Sequence, residues 1–103
     1  MRVISRRALR DFWEVHPGAV APLAAWYRLM ERSEFVDFSE IRKTFGAADR
    51  VAPYTIFNVG GNKYRVIAAI HYNRKRVYLR QVFTHPEYDE WSEKMRRKKR
   101  TKR

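Results

Sequence analysis

The chain has 103 residues, which is enough for one domain and too few for two. Apolar residues make up 45% and aromatic residues 15%, so extended disorder is excluded. The absence of cysteine excludes disulfide scaffolds, thiol catalysis and thiolate metal sites. No apolar stretch approaches the roughly 20 residues of a membrane span, and no signal-peptide pattern opens the sequence. We therefore expect a cytoplasmic protein that has no membrane partner.

Positive charge is concentrated at the carboxyl end. The chain contains 23 basic and 11 acidic residues, a formal net charge of +12. Eight of the basic residues and no acidic residue lie in the last ten positions, so the rest of the chain carries only +4. Such a segment could be a solubilising tail or could be drawn to an anionic membrane, although it lacks an apolar face to insert. We favour an arm that binds nucleic-acid phosphates, because neutralising phosphates releases their counterions. The sequence thus predicts one domain over residues 1–93 and a basic tail over residues 94–103, with these candidate contacts: Lys94, Arg96, Arg97, Lys98 and Lys99.

The first half of the chain is predicted to be mainly helical. A short strand, Arg2–Ile4, precedes a helix for which Ser5 is a candidate N-cap. Pro17-Gly18 ends that helix, and a second helix is predicted over Ala19–Arg32. Asp37 is a suitable cap for a third, short helix.

The second half has the pattern of antiparallel strands. After a loop over Asp49–Pro53, three strands separated by Gly- and Asn-containing turns are predicted: Tyr54–Val59, Lys63–Tyr72 and Lys75–Thr84. A short closing helix follows Thr84, with Tyr88, Trp91 and Met95 on its inner side. Helices followed by a β-meander and a closing helix indicate an α+β fold.

Strand pairing predicts two unlike faces for this sheet. A two-residue turn at Asn73-Arg74 sets Arg65 opposite Val82, and opposed residues share a face. One face is then apolar apart from Gln81, and comprises Phe57, Val59, Val66, Ala68, Ile70, Val77, Leu79 and Phe83. The other carries polar and cationic groups: Asn58, Lys63, Arg65, His71, Arg76, Tyr78 and Arg80. Such a face is either an ordinary solvated surface or an RNA surface, on which bases stack on planar groups and guanidinium groups bind phosphates.

His85 lies where the last strand gives way to the closing helix. A histidine there is commonly a simple cap, but the position also exposes side chains at the edge of a sheet and suits proton transfer. No histidine or carboxylate cluster has metal-ligand spacing on a single element, so no metal site is predicted.

The motif series Phe57-Asn58-Val59-Gly60-Gly61-Asn62, Arg65-Val66, Tyr78-Leu79-Arg80 and Thr84-His85-Pro86-Glu87-Tyr88-Asp89 resembles the HigB family of type II toxin–antitoxin systems. Val3-Ile4-Ser5 and Ala8-Leu9-Arg10 resemble the start of that family, so the resemblance covers nearly the whole chain. It implies a RelE-like fold with helices packed on an antiparallel sheet. It also implies an mRNA interferase that acts on ribosome-bound message, needs no cofactor and is inhibited by a HigA-type helix-turn-helix antitoxin.

The resemblance further implies roles for four residues. Arg65 corresponds to the arginine that contacts the scissile phosphate, His85 and Tyr88 are the matching candidates at the end of the last strand, and Arg80 enters from the neighbouring strand. RNA supplies its own nucleophile, the 2′-hydroxyl, so a base, an acid and positive charge suffice without a metal. A non-catalytic RNA- or ribosome-binding protein fits the charge and the size equally well.

Overall fold

The structure, a computed structural model, describes residues 1–101, with side chains for residues 1–98. It confirms the predicted α+β class, and along the chain the helices of the first half are followed by the strands of the meander and a closing helix. Short 3₁₀ turns occur at Pro17–Ala19 and Tyr72–Arg74. The regular elements are β1 (Arg2–Ile4), α1 (Arg7–Val15), α2 (Val20–Arg32), α3 (Phe38–Thr44), β2 (Asp49–Val51), β3 (Tyr54–Val59), β4 (Tyr64–His71), β5 (Arg76–Thr84) and α4 (His85–Thr101).

The strands form one sheet in the order β1-β5-β4-β3-β2. The meander of β3, β4 and β5 is antiparallel, as predicted, whereas β1 pairs with β5 in parallel. The predicted loop over Asp49–Pro53 is wrong in its first part, because Asp49–Val51 pairs with β3 as an edge strand. Its three residues lack the alternating apolar pattern by which strands are recognised, since Asp49 and Arg50 are both exposed and only Val51 is partly buried.

A bulge in β5 changes the predicted register. His71 lies opposite Arg76, so the pairing beside the β4–β5 turn is as expected. The register shifts between Ile67 and Ala68, and Arg65 consequently lies opposite Phe83 rather than Val82. An extra residue on one strand reverses the faces of every position beyond it. Val82 therefore packs towards the main core, while two residues assigned to that core lie on the opposite face: Gln81 and Phe83.

The main core lies between helices α1 and α2 and one face of the sheet. Of four residues on the predicted apolar face, Val66, Val77 and Leu79 are buried and Ile70 is partly buried. Other fully buried members of this core are Leu9, Leu23, Met30, Ile41 and Phe57. The predicted register thus holds for the apolar positions nearest the β4–β5 turn.

Helix α4 covers part of the opposite sheet face. Beneath it, Ile56 and Ile67 lie opposite each other and are 2% and 0% exposed. The ring of Trp91 lies 5.9 Å from that of Tyr54 and 6.0 Å from that of Phe83. The predicted polar face is therefore open only where α4 does not lie over it. With 17 residues α4 is longer than expected, and the basic segment that begins at residue 94 continues this helix.

Two of the three helix caps predicted from the sequence are present in the structure. Asp37 Oδ1 accepts a bond from the Glu40 amide at 2.9 Å, so the predicted cap of α3 is confirmed. Thr84 and Glu87 bond each other's backbone amides in a capping box that begins α4. The prediction for Ser5 is wrong: it has φ of 72°, and α1 begins after Arg6 without a side-chain cap.

Candidate active site

Arg65 is a buried cation held by neutral oxygens. It lies near the start of β4 and is 7% exposed. Its guanidinium donates to Asn62 Oδ1 at 2.7 Å, to the Asn62 carbonyl at 3.3 Å and to the Tyr64 carbonyl at 3.2 Å. Among the described side chains, no carboxylate forms an ion pair with it. Because buried charges are ordinarily paired, this cation retains its attraction for an incoming anion.

Tyr88 lies against this guanidinium. The Cζ atom of Arg65 is 5.5 Å from the centroid of the Tyr88 ring, which is within the range of cation–π contacts. On its other side Tyr88 contacts Trp91 at 5.9 Å between centroids. Since Trp91 anchors α4 on the sheet, the packing of α4 determines where Tyr88 meets Arg65.

His85 begins α4 at the corner of the sheet where Arg65 and Tyr88 lie, which is called the cleavage corner below. Its amide donates to the carbonyl of Lys63 at 2.9 Å, which ties the start of α4 to the turn before Arg65. The His85 side chain is 40% exposed, and its Nδ1 lies 3.2 Å from Asp89 Oδ2. His85 and Tyr88 are three residues apart on one helix and therefore share a side of it. The corner thus combines a buried cation, a phenol and an accessible imidazole.

Arg80 lies elsewhere on the same face. It occupies the bulge region of β5, is exposed, and holds its guanidinium 5.8 Å from the ring of Tyr78. In the part of the chain with described side chains, no contact joins Arg80 to Arg65, His85 or Tyr88. The structure therefore brings three of the four predicted catalytic residues to one corner and places the fourth in a separate group.

The residues predicted to bind RNA surround this corner and extend from it. Asn58 is half-buried and lies directly opposite Arg65, on the face that the sequence predicted for both, and Lys63 is exposed in the adjoining turn. Arg76 is exposed beside Tyr78. Four basic residues of α4 are described with side chains, and all are exposed: Lys94, Arg96, Arg97 and Lys98. Arg96 and Arg97 pair with Glu93. The side chain of Lys99 lies outside the described residues.

A groove leads away from Tyr88 between α4 and the edge strand β2. Tyr88 is one of its lining residues, and the others are Asp49, Arg50, Val51, Ser92, Met95 and Arg96. Two arginines on opposite walls give it a cationic character over part of its length. Within the described residues, no cluster of three or more histidine and carboxylate side chains is arranged to hold a metal ion. None of the described helices is both long and apolar enough to cross a membrane.

Two contributors to this site were not singled out from the sequence. Asn62 was interpreted only as a turn residue, yet its side chain makes the shortest bond to Arg65. Asp89 appeared only within a motif and was not identified as a partner of the His85 imidazole. The spacing of three and four residues within each pair is the signal that could have identified both.

Comparison with known proteins identifies a family to which most of this chain is similar. Residues 19–91 match the model of the HigB_toxin family, described as the RelE-like toxic component of a toxin–antitoxin system. The chain is 32% identical over 92 residues to the mRNA interferase toxin HigB of Escherichia coli K12, covering 86% of this chain and 88% of that relative. The mRNA interferase HigB of Shigella flexneri has the same identity and coverage, and that of Escherichia coli O6:H1 is 29% identical over 92 residues, with coverages of 86% and 89%. Since the match extends over most of both chains, this protein belongs to the HigB family of toxins from toxin–antitoxin systems.

Proposed function

We propose that this chain is an mRNA interferase, an endoribonuclease that arrests growth by cleaving message. The observation that carries the proposal is the buried guanidinium of Arg65, which has only neutral partners and lies against Tyr88 at the corner where His85 begins α4. Curated relatives that match most of the chain are named mRNA interferases, which supports the same activity.

The proposed reaction uses the RNA's own 2′-hydroxyl as the nucleophile. Its oxygen attacks the adjacent phosphorus, the bond to the 5′-oxygen of the next nucleotide breaks, and the products are a 2′,3′-cyclic phosphate and a free 5′-hydroxyl. One proton leaves the attacking hydroxyl and one reaches the departing oxygen, so the chain must supply a base and an acid. All atoms and charges balance without a further reactant.

His85 is the proposed proton-transfer group. A carboxylate beside Nδ1 favours the tautomer that carries its proton there, and Asp89 Oδ2 occupies this position at 3.2 Å. The lone pair is then on Nε2, which is available to accept the proton of the 2′-hydroxyl. Tyr88, with its hydroxyl at the same corner, is the proposed partner that orients the phosphate or assists transfer to the leaving oxygen.

Arg65 is the proposed electrostatic stabiliser. Charge on the phosphate oxygens grows as the five-coordinate phosphorus forms, and a fixed donor with little water around it stabilises that charge strongly. The three bonds to Asn62 and Tyr64 hold the guanidinium before substrate arrives, so little ordering is required during the reaction. Arg80 was predicted to act here as well, but its distance from this group favours a substrate-binding role.

The remaining predicted contacts are proposed to hold the RNA strand. Asn58 and Lys63 flank Arg65, and the groove between α4 and β2 connects Tyr88 with Arg96. From there the basic residues of α4 continue the positive charge: Lys94, Arg97, Lys98 and Lys99. Phosphate contacts of this kind give affinity without reading sequence.

Membership of a toxin–antitoxin family implies an antitoxin partner. We propose that this antitoxin is of the HigA type, with a helix-turn-helix fold, and that the toxin meets its mRNA on ribosomes in the cytoplasm. The formal charge of +12 favours association with both an anionic substrate and an acidic protein segment.

Induction of the chain alone, followed by mapping of new RNA 5′ ends, tests the activity. Ends bearing 5′-hydroxyl groups should appear within coding sequences and should be absent on induction of Arg65→Ala. Repeating the experiment with translation blocked tests the need for ribosomes, because new ends should then be lost. Growth arrest without new ends would favour the non-catalytic RNA-binding alternative.

Co-expression tests the proposed partner. A helix-turn-helix protein encoded beside this chain should copurify with it and restore growth. Failure of every neighbouring protein to bind the toxin or relieve arrest would contradict the proposal about the antitoxin without affecting that about cleavage.

A further inference from the structure

Tyr78 is the centre of a second group on the sheet face that α4 leaves open. His71 contacts it edge-on, with centroids 5.0 Å apart and ring planes at 77°. The guanidinium of Arg80 lies 5.8 Å from its ring centroid, and Arg76 Nη1 lies 3.5 Å from its hydroxyl. Tyr78 is only half-buried, whereas the three side chains around it are exposed. An aromatic ring is therefore held at the surface with the Arg80 guanidinium over one face and the Arg76 guanidinium at its hydroxyl.

Positive charge at this group, the Tyr78 platform, comes from several elements. Arg74 lies in the β4–β5 turn, Arg76 and Arg80 lie on β5, and Arg2 of β1 pairs in register with Arg76. The bond from Arg76 and the charges of Arg76, Arg74 and Arg80 lower the pKa of Tyr78, against a smaller opposing effect of burial. The lowered pKa of Tyr78 reports a positive electrostatic potential at the phenol, and the same potential would attract an anion.

The arrangement differs from an ordinary solvated strand. Within the described side chains, none of the four arginines forms an ion pair with a carboxylate. Lys75, in the same turn, shows the contrast: its ammonium lies 2.8 Å from Glu34 and is neutralised there. Clustered like charges without counter-charges are unfavourable in the free protein and become favourable when a polyanion binds.

The Tyr78 platform is separate from the proposed cleavage corner. His71 and Arg65 are six residues apart on β4, or roughly 20 Å along the strand at about 3.3 Å per residue. Both lie on the same sheet face, with exposed Gln81 between the two groups on β5. A single extended strand of RNA therefore fits an arrangement in which one part is cleaved and another part is held.

We propose that the Tyr78 platform is a second RNA-binding site, at which an unpaired base stacks on Tyr78 while Arg76 and Arg80 bind its flanking phosphates. The choice of RNA as ligand rests on the proposed function. Base–aromatic stacking requires a ring of fixed orientation that is accessible to a base. The contacts with His71 and Arg80 fix the orientation of Tyr78, and the side chain is only half-buried, so the part of the ring that Arg80 does not cover is the proposed stacking surface. Binding here fixes which nucleotides reach the distant corner, so the platform contributes to the choice of cleavage position.

Binding of an uncleavable RNA measures this site without catalysis. The probe is a fluorescein-labelled single-stranded RNA in which every 2′-hydroxyl is methylated, and the measurement is anisotropy over a range of salt. Tyr78→Leu should weaken binding by roughly 5- to 100-fold, the range expected for one stacked base, while Tyr78→Phe keeps the ring and should bind as the wild type does. Arg80→Gln should lower the salt slope by about 0.7 if one phosphate contact is lost.

Lys75→Gln is the matched control, because it removes one charge from the same turn but from a neutralised pair. It should leave the affinity close to that of the wild type. Thermal unfolding shows whether Tyr78→Leu folds. If it does not, the salt slope of Arg80→Gln tests the proposal instead, and a slope equal to that of the wild type would overturn it. Equal RNA affinities for Tyr78→Leu and the wild type would overturn the proposal, and so would a loss of antitoxin binding alone, which would identify a protein surface.

Cleavage assays separate this inference from the proposed function. If induction of the wild type produces no new RNA 5′ ends in translating cells, yet Tyr78→Leu weakens binding of the methylated probe, the proposed activity fails and the second site stands. If the wild type cuts message and the probe binds every variant equally, the activity stands and the second site fails.

Discussion

Asn62 holds Arg65 across the end of the first hairpin through a 2.7 Å bond from the guanidinium to Oδ1, reinforced by a bond to the Asn62 carbonyl. The partner is an amide, so the bond orients the cation without neutralising it. A carboxylate at the same place would orient it equally well and cancel much of its charge. The identity of residue 62 therefore controls whether Arg65 is available to a phosphate.

Asn62→Asp tests this relationship with almost no change in shape. Cleavage should fall nearly as far as in Arg65→Ala, for which we expect roughly a 10²–10³-fold loss by analogy with removal of one oxyanion-hole donor. Asn62→Ala should cost less, because the guanidinium keeps its charge and its bond to the Tyr64 carbonyl. Single-turnover cleavage is the measurement, with Arg7→Ala, an exposed arginine of α1, as the control. Full activity in Asn62→Asp would contradict an electrostatic role for Arg65.

His85 should affect proton transfer and leave RNA binding largely unchanged. His85→Gln removes the base but keeps a polar side chain, so saturated cleavage should fall by about 10²–10⁴-fold. Asp89→Asn keeps the imidazole but weakens the preference for a proton on Nδ1, so kcat should fall by less. Affinity for methylated RNA should stay close to that of the wild type in both. An unchanged kcat in folded His85→Gln would mean that another residue carries out the proton transfer.

The shared face of Asn58 and Arg65 could be predicted from the sequence, whereas the position of Arg80 could not. A two-residue turn at either end of Gly60-Gly61-Asn62 gives the same alternation, so both residues fall on one face, and the structure adds that they are directly opposite. In β5 no glycine or proline marks the bulge, and the alternation simply continues through Leu79-Arg80-Gln81. One unmarked residue reversed the faces of the β5 positions beyond it, and Arg80 itself lies in the bulge.

The covering of the second face by α4 was only partly predictable. The inward positions of Tyr88 and Trp91 follow from helical spacing and are confirmed by their contacts. The sequence did not indicate that Ile56 and Ile67 would lie beneath them, because both alternate with main-core residues on strands that are apolar on both faces. A strand buried on both sides cannot be assigned a single inner face by alternation.

Ile67→Ala tests whether α4 is held by this second apolar cluster. The side chain is fully buried, so its truncation should lower the free energy of unfolding by about 2–5 kcal/mol. Cleavage should fall as well, because Tyr88 meets Arg65 only when α4 is packed on the sheet. Val36→Ala, at a position that is 65% exposed, should change stability by less than about 0.5 kcal/mol. Urea unfolding supplies the comparison, and equal stabilities of the two variants would contradict the packing described.

The basic end of α4 should contribute affinity rather than chemistry. Deleting residues 98–103 should weaken RNA binding at moderate salt and lower the salt slope by about 0.7 for each lost contact with single-stranded RNA. Cleavage at saturating RNA should remain near that of the wild type, since Arg65, His85 and Tyr88 are retained. Identical affinity with and without these residues would support a solubilising segment instead.

Alkaline titration distinguishes two tyrosines and tests the potential at the Tyr78 platform. The ordinary tyrosine pKa is about 10. The bond and charge of Arg76 lower the pKa of Tyr78, so its phenolate should appear first as pH rises, whereas burial raises the pKa of Tyr72 and delays its ionisation. Absorbance at the phenolate band should therefore lose its earliest component in Tyr78→Phe and its latest component in Tyr72→Phe.

The same shifts predict opposite effects on folding stability. Below about pH 10 the folded state releases the Tyr78 proton before the unfolded state does, so this residue adds stability as pH rises through its lowered pKa, and the gain is complete above the unfolded value. Tyr72 behaves in the reverse sense: its contribution is full below about pH 10 and is lost as pH rises to its raised pKa. Methylated RNA should move the earliest ionisation of the wild type to higher pH, because phosphates at Arg76 and Arg80 oppose formation of a phenolate between them. An RNA-independent titration of Tyr78 would show that the strand does not reach this ring.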